Sequence, residues 1–365
     1  MIHVVLDLRC INSQMTGIGR YAENLGLSLS SPSTGFRVSA LVAGRDQPRM
    51  FDSGATYVAP ADPDWDHLGL PDFLKAAGAD IFHSPFFLLP SLRVCRYIGT
   101  VHDVIPMSRP DLCPESFIAF FNRHFPNVVR RADQLVTVSE FSKSDILKRV
   151  PLDPTRVTAI HEPVSPKFSE SRSDPTQLKR LGLLPGYILY LGAIDRRKNL
   201  NCLLEAYGLL RLEGEAPPLV IGGASSGDAY DAARELDKVG LSNHVTLLGR
   251  VPEDLLPTLY GAAAVFVFPS LYEGFGLPVV EAMACGTPVV ASKATSIPEV
   301  AGDAALLVDP TDAPAWKVAI RRILNEKDLR EELVRRGRQR AEELGLARHR
   351  DQLVQLYKKV LGVSR

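Results

Sequence analysis

The chain has 365 residues, which at ~150 residues per domain favours two domains over one. Hydrophobic residues make up 45% and charged residues 23%, ordinary globular usage that excludes a disordered or fibrous chain. Forty-two basic side chains balance 42 acidic ones, which argues against a dedicated nucleic-acid binder with its basic domain.

The N-terminus, Met1-Ile2-His3-Val4-Val5-Leu6, lacks the basic lead and cleavage-type ending of a signal peptide. Short β-branched runs follow in alternation with longer helical stretches. In the first half, residues 2–7, 36–42, 56–59, 80–83, 97–101, 134–138 and 156–160 read as strands. Most are continuous apolar runs, the pattern of strands buried on both faces of a parallel sheet. Residues 162–175, with three prolines and four serines, read as a linker. The second half repeats the theme with strands at 187–191, 218–222, 245–248, 264–268, 288–291 and 304–308, and with helices such as 199–211 and 230–239. Beyond Asp309-Pro310 the pattern is helical to the end. The expected architecture is two doubly wound α/β domains with a cleft between them, ligand groups sitting at strand C-terminal ends. Apolar runs such as 262–269 are far shorter than the ~20 residues of a spanning helix. Cys10, Cys95, Cys113, Cys202 and Cys285 form no C-x-x-C pair and read as reduced thiols. A soluble cytoplasmic protein is expected.

The strongest motif is Pro269-Ser270-Leu271-Tyr272-Glu273-Gly274-Phe275-Gly276-Leu277-Pro278-Val279-Val280-Glu281, directly after an apolar strand. Pro278 fits the first turn of a helix, and Gly274 and Gly276 let backbone N–H groups and a helix dipole approach an anionic or hydroxylated ligand. Glu273 in the loop and Glu281 one turn into the helix would accept from ligand hydroxyls. The alternative is that Glu281 faces solvent and Glu273 only fills a turn. Arg196-Arg197-Lys198-Asn199 follows the strand at 187–191, with Asn199 as expected N-cap. Cations there oppose the helix dipole, so an anionic ligand would justify them; a solvated basic turn is the other reading.

Gly17-Ile18-Gly19-Arg20-Tyr21-Ala22 matches G-x-G-x-x-A, but it stands too far from its strand, and no acidic residue closes the next strand, for a nicotinamide site. A glycine loop facing a phosphate remains open. His102-Asp103 ends a strand, with Asp103 placed to orient the imidazole, and His83 ends another. Asp62-Pro63-Asp64-Trp65-Asp66 resembles a D-x-D metal motif but reads better as a surface turn. Phe117, Phe120, Phe121 and Phe125 lie among Arg123, His124, Arg130 and Arg131. That stretch is either a membrane-resting face or a core-facing aromatic stripe with a basic back.

Several of these segments together resemble retaining glycosyltransferase family 4. They are Gly17-Ile18-Gly19-Arg20-Tyr21, His83-Ser84-Pro85, residues 100–106, Val138-Ser139-Glu140-Phe141-Ser142, Arg197-Lys198-Asn199, and residues 273–288 with their glutamates eight apart around G-F-G-L-P. The similarity is to the bacterial mannosyltransferases of O-antigen and exopolysaccharide type. It implies a GT-B fold: an acceptor-side Rossmann-like domain over 1–170 joined by a crossover helix at 347–365, and a donor-binding domain over 171–346.

The resemblance also implies residue roles. Lys198 with Arg197 or Arg196 would hold the donor diphosphate, since Ala193 stands where many family members carry arginine. The amides of Gly274, Phe275, Gly276 and Leu277 would meet diphosphate and sugar, Glu273 the sugar, and Glu281 the ribose. Gly17 and Gly19 would line the phosphate side, His102 would contact the sugar near the departing bond, and backbone at Arg250 and Val251 would frame the base. The implied activity is hexosyl transfer, with mannose from GDP-mannose as first expectation and a UDP-sugar as alternative, to a saccharide or lipid-linked saccharide. It would need no metal or other cofactor, would follow a front-face retaining course, and would take place in the cytoplasm, with the inner face of the membrane as the alternative that the aromatic and basic stretch leaves open. A sugar-nucleotide 2-epimerase and a non-catalytic nucleotide-sugar binder are the competing readings on the same architecture.

Overall fold

The computed structural model describes residues 1–363 apart from 12–15, 32–33, 45–54, 61–64, 67–68, 171–172, 215 and 225–231. The chain divides into two compact units, Met1–Pro163 with Leu344–Arg365, and Val164–Glu343.

The first unit is built on seven strands: β1 (His3–Asp7), β2 (Arg37–Val42), β3 (Thr56–Val58), β4 (Ile81–Ser84), β5 (Arg96–Thr100), β6 (Gln134–Thr137) and β7 (Val157–Ala159). They pair in the order β3-β2-β1-β4-β5-β6-β7, parallel throughout. The strands β1, β4 and β6 are buried at every position, their polar end residues included, as strands covered on both faces are, whereas the edge strand β3 is largely open. Strand order reverses between β1 and β4, and sheets of this kind hold ligands outside the carboxyl ends of the strands at such a reversal. The C-terminal helix Leu346–Leu361 completes this unit by burying His349, Leu353, Leu356 and Tyr357. Ser28 Oγ lies 2.8 Å from His349 Nδ1, and the Tyr357 hydroxyl 2.7 Å from His83 Nδ1.

The second unit carries β8 (Ile188–Leu191), β9 (Leu219–Gly222), β10 (Val245–Gly249), β11 (Val265–Phe268), β12 (Val289–Ser292) and β13 (Ala305–Val308). Their order is β10-β9-β8-β11-β12-β13, again all parallel, with the reversal between β8 and β11. Tyr190, Leu203, Tyr207, Ile221, Val267 and Trp316 meet in its core.

All thirteen expected strands are present, with bounds that move by a residue or two. The stretch read as a linker behaves differently. Val164, Ser165 and Phe168 are buried, and residues Lys167–Glu170 form a helical turn. Phe168 packs edge-on to Tyr260 at 5.9 Å, and its carbonyl accepts from Cys285 Sγ at 3.3 Å. These contacts assign 164–170 to the second unit, so the division falls after Pro163 rather than after residue 170. At the other boundary Leu344 is buried in the first unit, so the return comes three residues ahead of the expected 347.

In the helix Glu115–Arg131, Phe121 and Phe125 are buried with Phe87, and Phe117 packs on the same cluster. Phe120 stays 37% exposed, so the segment is mainly a core-facing stripe. Among the described residues no helix is long and apolar enough to cross a membrane. The five cysteines form no disulfide.

Candidate active site

The second unit brings its key residues together at the reversal between β8 and β11. The turn after β8 contains a short 3-10 helix, Arg196–Lys198, capped by Asp195, whose Oδ1 accepts from the Lys198 amide at 2.9 Å. Leu271 N donates to Arg197 O at 2.8 Å, tying that turn to the loop after β11. The two loops thereby place Lys198 and Arg197 on one carboxylate. Lys198 Nζ lies 2.6 Å from Glu273 Oε1, and Arg197 Nη1 2.8 Å from Glu273 Oε2. Ser270 Oγ donates to the same Oε1 at 2.5 Å. The Lys198 ammonium also sits 4.6 Å over the Phe268 ring, a desolvated cation on a π-face.

Burial alone would raise the Glu273 carboxyl, but the charges of Arg197 and Lys198 and the bonds from Lys198 and Ser270 outweigh it and hold it below its ordinary 4.5. Burial lowers Lys198; Glu273 restores part of the loss and neighbouring Arg197 takes some back, leaving a net fall. Side-chain hydroxyls bound to its backbone fix the loop that presents Glu273. Its amide donates to Thr295 Oγ1 at 3.0 Å, while Ser296 Oγ donates to the carbonyls of Glu273 and Phe275, each at 2.9 Å.

Gly276 stands at the head of the helix Leu277–Ala284 with φ of 104°, and a Cβ there would lie 2.4 Å from Ile297 Cδ1. Only glycine satisfies both conditions. The helix starts with no side-chain cap, and Pro278 has no N–H to need one. Glu281 is buried, not solvent-facing, and accepts from the Tyr260 hydroxyl at 2.9 Å.

Other expected residues fall elsewhere. Arg196 is exposed, so Arg197 is the arginine that joins Lys198. Asn199 does not cap the following helix: it adopts φ of 55° and donates its Nδ2 to Pro269 O (3.1 Å) and Pro310 O (2.7 Å), staking the two loops together. Arg250 is exposed after edge strand β10, and Val251 packs close to Gly222 at the end of β9. A cavity of about 720 Å³ lined by Ala264, Pro288, Arg330, Arg335 and Arg338 opens at the N-terminal ends of β11 and β12, away from these side chains.

In the first unit, the helix Gly17–Leu29 begins at the glycine loop, but its cap is Thr16, whose Oγ1 accepts from Gly19 N at 3.2 Å; Gly17 is exposed. His102 is oriented by Glu162 rather than by Asp103. Its Nδ1 lies 3.2 Å from Glu162 Oε1 and its Nε2 2.9 Å from Pro85 O. Asp103 instead accepts from Ile105 N at 3.0 Å, because a carboxylate one residue before a turn reaches that amide more easily than the ring. His83 is fully buried between Tyr357 and Thr100, a structural role, and burial pushes it down to about 3. Of the D-x-D run, Asp62 and Asp64 lie outside the described residues, and Asp66 pairs with Arg9 at 2.5 Å. Among the described residues no group of three His, Cys, Asp or Glu side chains could hold a metal ion.

Sequence reasoning missed Glu162, Ser270 and Tyr260. Ser270 carried a weak signal, three residues before Glu273 in the same loop. Glu162 lay inside the apparent linker, and Tyr260 is remote in sequence from its partner.

Comparison with known proteins now decides the family. Residues 15–168 match Glycosyltransferase Family 4, and residues 180–340 match Glycosyl transferases group 1. O-antigen chain mannosyltransferase B of Escherichia coli is 34% identical over 76% of this chain and 74% of its own. The chain belongs to the family 4 glycosyltransferases. A further relative, O-antigen chain mannosyltransferase RfbU of Salmonella typhimurium, is 31% identical over 61% of this chain and 60% of its own. Among solved structures, sucrose-phosphate synthase of Thermosynechococcus elongatus matches with TM-score 0.79 at 22% identity over all of both chains. HepE of Anabaena in complex with UDP-glucose matches at 0.74 and 16% identity, over 98% of this chain and all of that one. These likenesses establish the GT-B type of two Rossmann-like units, and the chain is a glycosyltransferase.

Proposed function

We propose that this glycosyltransferase moves mannose from GDP-mannose to a saccharide or lipid-linked saccharide, with retention of configuration and without a metal ion. The observation that carries the proposal is the pairing of Lys198 and Arg197 on Glu273 at the strand-order reversal. An arriving diphosphate competes with Glu273 for both cations, and the freed carboxylate can then accept from sugar hydroxyls. The arginine supplies a fork and the lysine a point charge to the phosphate oxygens.

In the transfer, the bond from the anomeric carbon to the phosphate oxygen breaks and one to the acceptor oxygen forms on the same face. The acceptor proton passes to the departing phosphate. This course asks the protein mainly to stabilise negative charge on the diphosphate, which two desolvated cations beside an uncapped helix start can do. Mannose is supported by the similarity to two O-antigen chain mannosyltransferases, and GDP is the carrier we propose for it. For a lipid-linked acceptor, exposed Phe120 with exposed Arg123 and Arg130 would rest on an anionic bilayer.

The test is transfer from GDP-mannose and UDP-glucose to mannosyl saccharides, free and polyprenyl-linked, with and without EDTA, the product anomer read by NMR. Retained α-mannoside formed equally well with EDTA is expected. Transfer from UDP-glucose alone overturns the donor, an inverted product the mechanism, and an epimerised nucleotide sugar formed without acceptor the reaction class. Co-sedimentation with anionic vesicles that survives Phe120→Ser would remove the membrane contact.

A further inference from the structure

We propose that Glu162 is the positioning residue for His102, holding the imidazole in one orientation and supplying the counter-charge that keeps both ring nitrogens protonated. The inference rests on the reading of His102 as a donor-facing group. Its basis is a hydrogen-bond count. Pro85 O, 2.9 Å from Nε2, can only accept, so Nε2 carries a proton. Glu162 Oε1, 3.2 Å from Nδ1, then meets either a second N–H or a bare lone pair. A neutral ring would oppose a lone pair to a carboxylate, so the pair retains one proton between its two members. An imidazolium, donating from both ring nitrogens, satisfies both contacts.

The helix Gly17–Leu29 supports this arrangement at two points. Asn24 Nδ2, on the helix Gly17–Leu29, donates to Pro163 O at 2.8 Å and pins the backbone next to Glu162. Tyr21 of the same helix packs edge-on to the His102 ring at 4.7 Å and shares Thr100 Oγ1 with His83, at 3.1 and 2.9 Å. Among the described residues, the charged or titratable groups around His102 are Glu162 after β7, Asp103 on its own segment, and Tyr21, with His83 and His349 behind. His349 lies 6.4 Å from the Tyr21 ring, and burial pushes both His83 and His349 down to about 3, so neither adds charge near neutrality. For His102 burial alone would lower the pKa, but the bond and charge of Glu162, with Pro85 O and Asp103, leave it above the ordinary 6.5. An imidazolium would stabilise negative charge on a ligand that meets the ring, and an uncharged ring would not.

The test uses the full-length protein with 15N-labelled histidine, the His102 ring assigned by His102→Gln. Ring resonances are titrated in the parent, Glu162→Gln and Glu162→Asp, and kcat/KM is measured against pH in parallel. In the parent His102 should titrate above 6.5. In Glu162→Gln it should fall by at least about one pH unit while His83 and His349 stay unmoved, because burial then acts without its counter-charge. The alkaline limb of kcat/KM should move down by the same amount, with kcat at pH 8 reduced roughly tenfold or more and KM for the donor within about threefold. Glu162→Asp, should Glu162→Gln fail to fold, restores part of the charge and should shift both readouts by less. A His102 titration unchanged by these substitutions overturns the proposal, as does a rate profile that moves without it. If no nucleotide sugar supports transfer, the ring titration still decides the Glu162 pairing, while the transferase reading fails on its own.

Discussion

Replacing Lys198 by methionine removes the charge and keeps most of the side-chain volume over Phe268. Two costs separate. In the unliganded protein Glu273 loses one of its two cations but keeps Arg197 at 2.8 Å and Ser270 at 2.5 Å. The loss should fall well below the ~3–5 kcal/mol of a buried charge left wholly unpaired, so a drop of only a few degrees in melting temperature is expected. On the proposed reading, the missing ammonium would be felt where charge builds on the diphosphate. At ~4 Å and an effective dielectric of ~20, one such charge is worth about 4 kcal/mol, in line with the ~10²–10³-fold effect of deleting one preorganised donor. We therefore expect kcat/KM to fall by ~10²–10³ and GDP affinity to weaken as well, because GDP carries the same diphosphate. Steady-state kinetics, calorimetric GDP titration and a thermal melt give the three numbers. A folded Lys198→Met protein with kcat/KM within about threefold of the parent would refute the reasoning.

Four further outcomes follow from the geometry. Gly276→Ala places a Cβ 2.4 Å from Ile297 Cδ1 at φ of 104°; a stability loss of roughly 2–3 kcal/mol is expected in a denaturant titration, and an unchanged midpoint would contradict it. Tyr260→Phe removes the 2.9 Å donor from buried Glu281 and should cost about 1–3 kcal/mol, with weaker nucleotide binding by calorimetry. Asn199→Gly keeps the left-handed backbone but drops both bonds to the loop carbonyls, so a loss of ~1–2 kcal/mol is expected from the same titration. Acid should destabilise the first unit. His83 and His349 are held neutral with pKa about 3 when folded, whereas the unfolded residues bind protons below about 6.5. Their contribution is complete above 6.5 and is lost as pH falls toward 3, at roughly 1.4 kcal/mol per pH unit for each histidine. Melts from pH 7 to 5 should show this slope, and His349→Gln should flatten it by about half.

How much of this was legible in the sequence depended on the range over which each feature is determined. Strands such as Val265–Phe268 and Ile188–Leu191 are buried on both faces, so their apolar runs announce them without tertiary information. The loops that follow them were equally plain, because glycine, proline and charge are unusual at strand ends. Lys198, Arg197 and Glu273 meet as a consequence of sheet order, which brings β8 beside β11. Their mutual pairing was not readable, since it depends on side chains 75 residues apart in sequence. Short-range misreadings had local causes. Asn199 has the chemistry of a cap, yet its left-handed backbone turns the amide toward Pro269 and Pro310. Residues 162–175 had the composition of a linker, but Phe168 supplies a buried anchor and Glu162 a partner for His102. Composition reports mean polarity, and a single aromatic or carboxylate inside a Pro/Ser-rich stretch escapes it.

The central claim, that the carboxylate-held cations of the second unit are a nucleotide-diphosphate site, is tested most directly by calorimetric titration of the intact chain with GDP, UDP, ADP and their sugar conjugates, each with and without EDTA, beside Lys198→Met. The account predicts selective binding of GDP and GDP-mannose, indifferent to chelator and strongly weakened in Lys198→Met. Binding of no nucleotide by the parent, or equal binding by Lys198→Met, would contradict it.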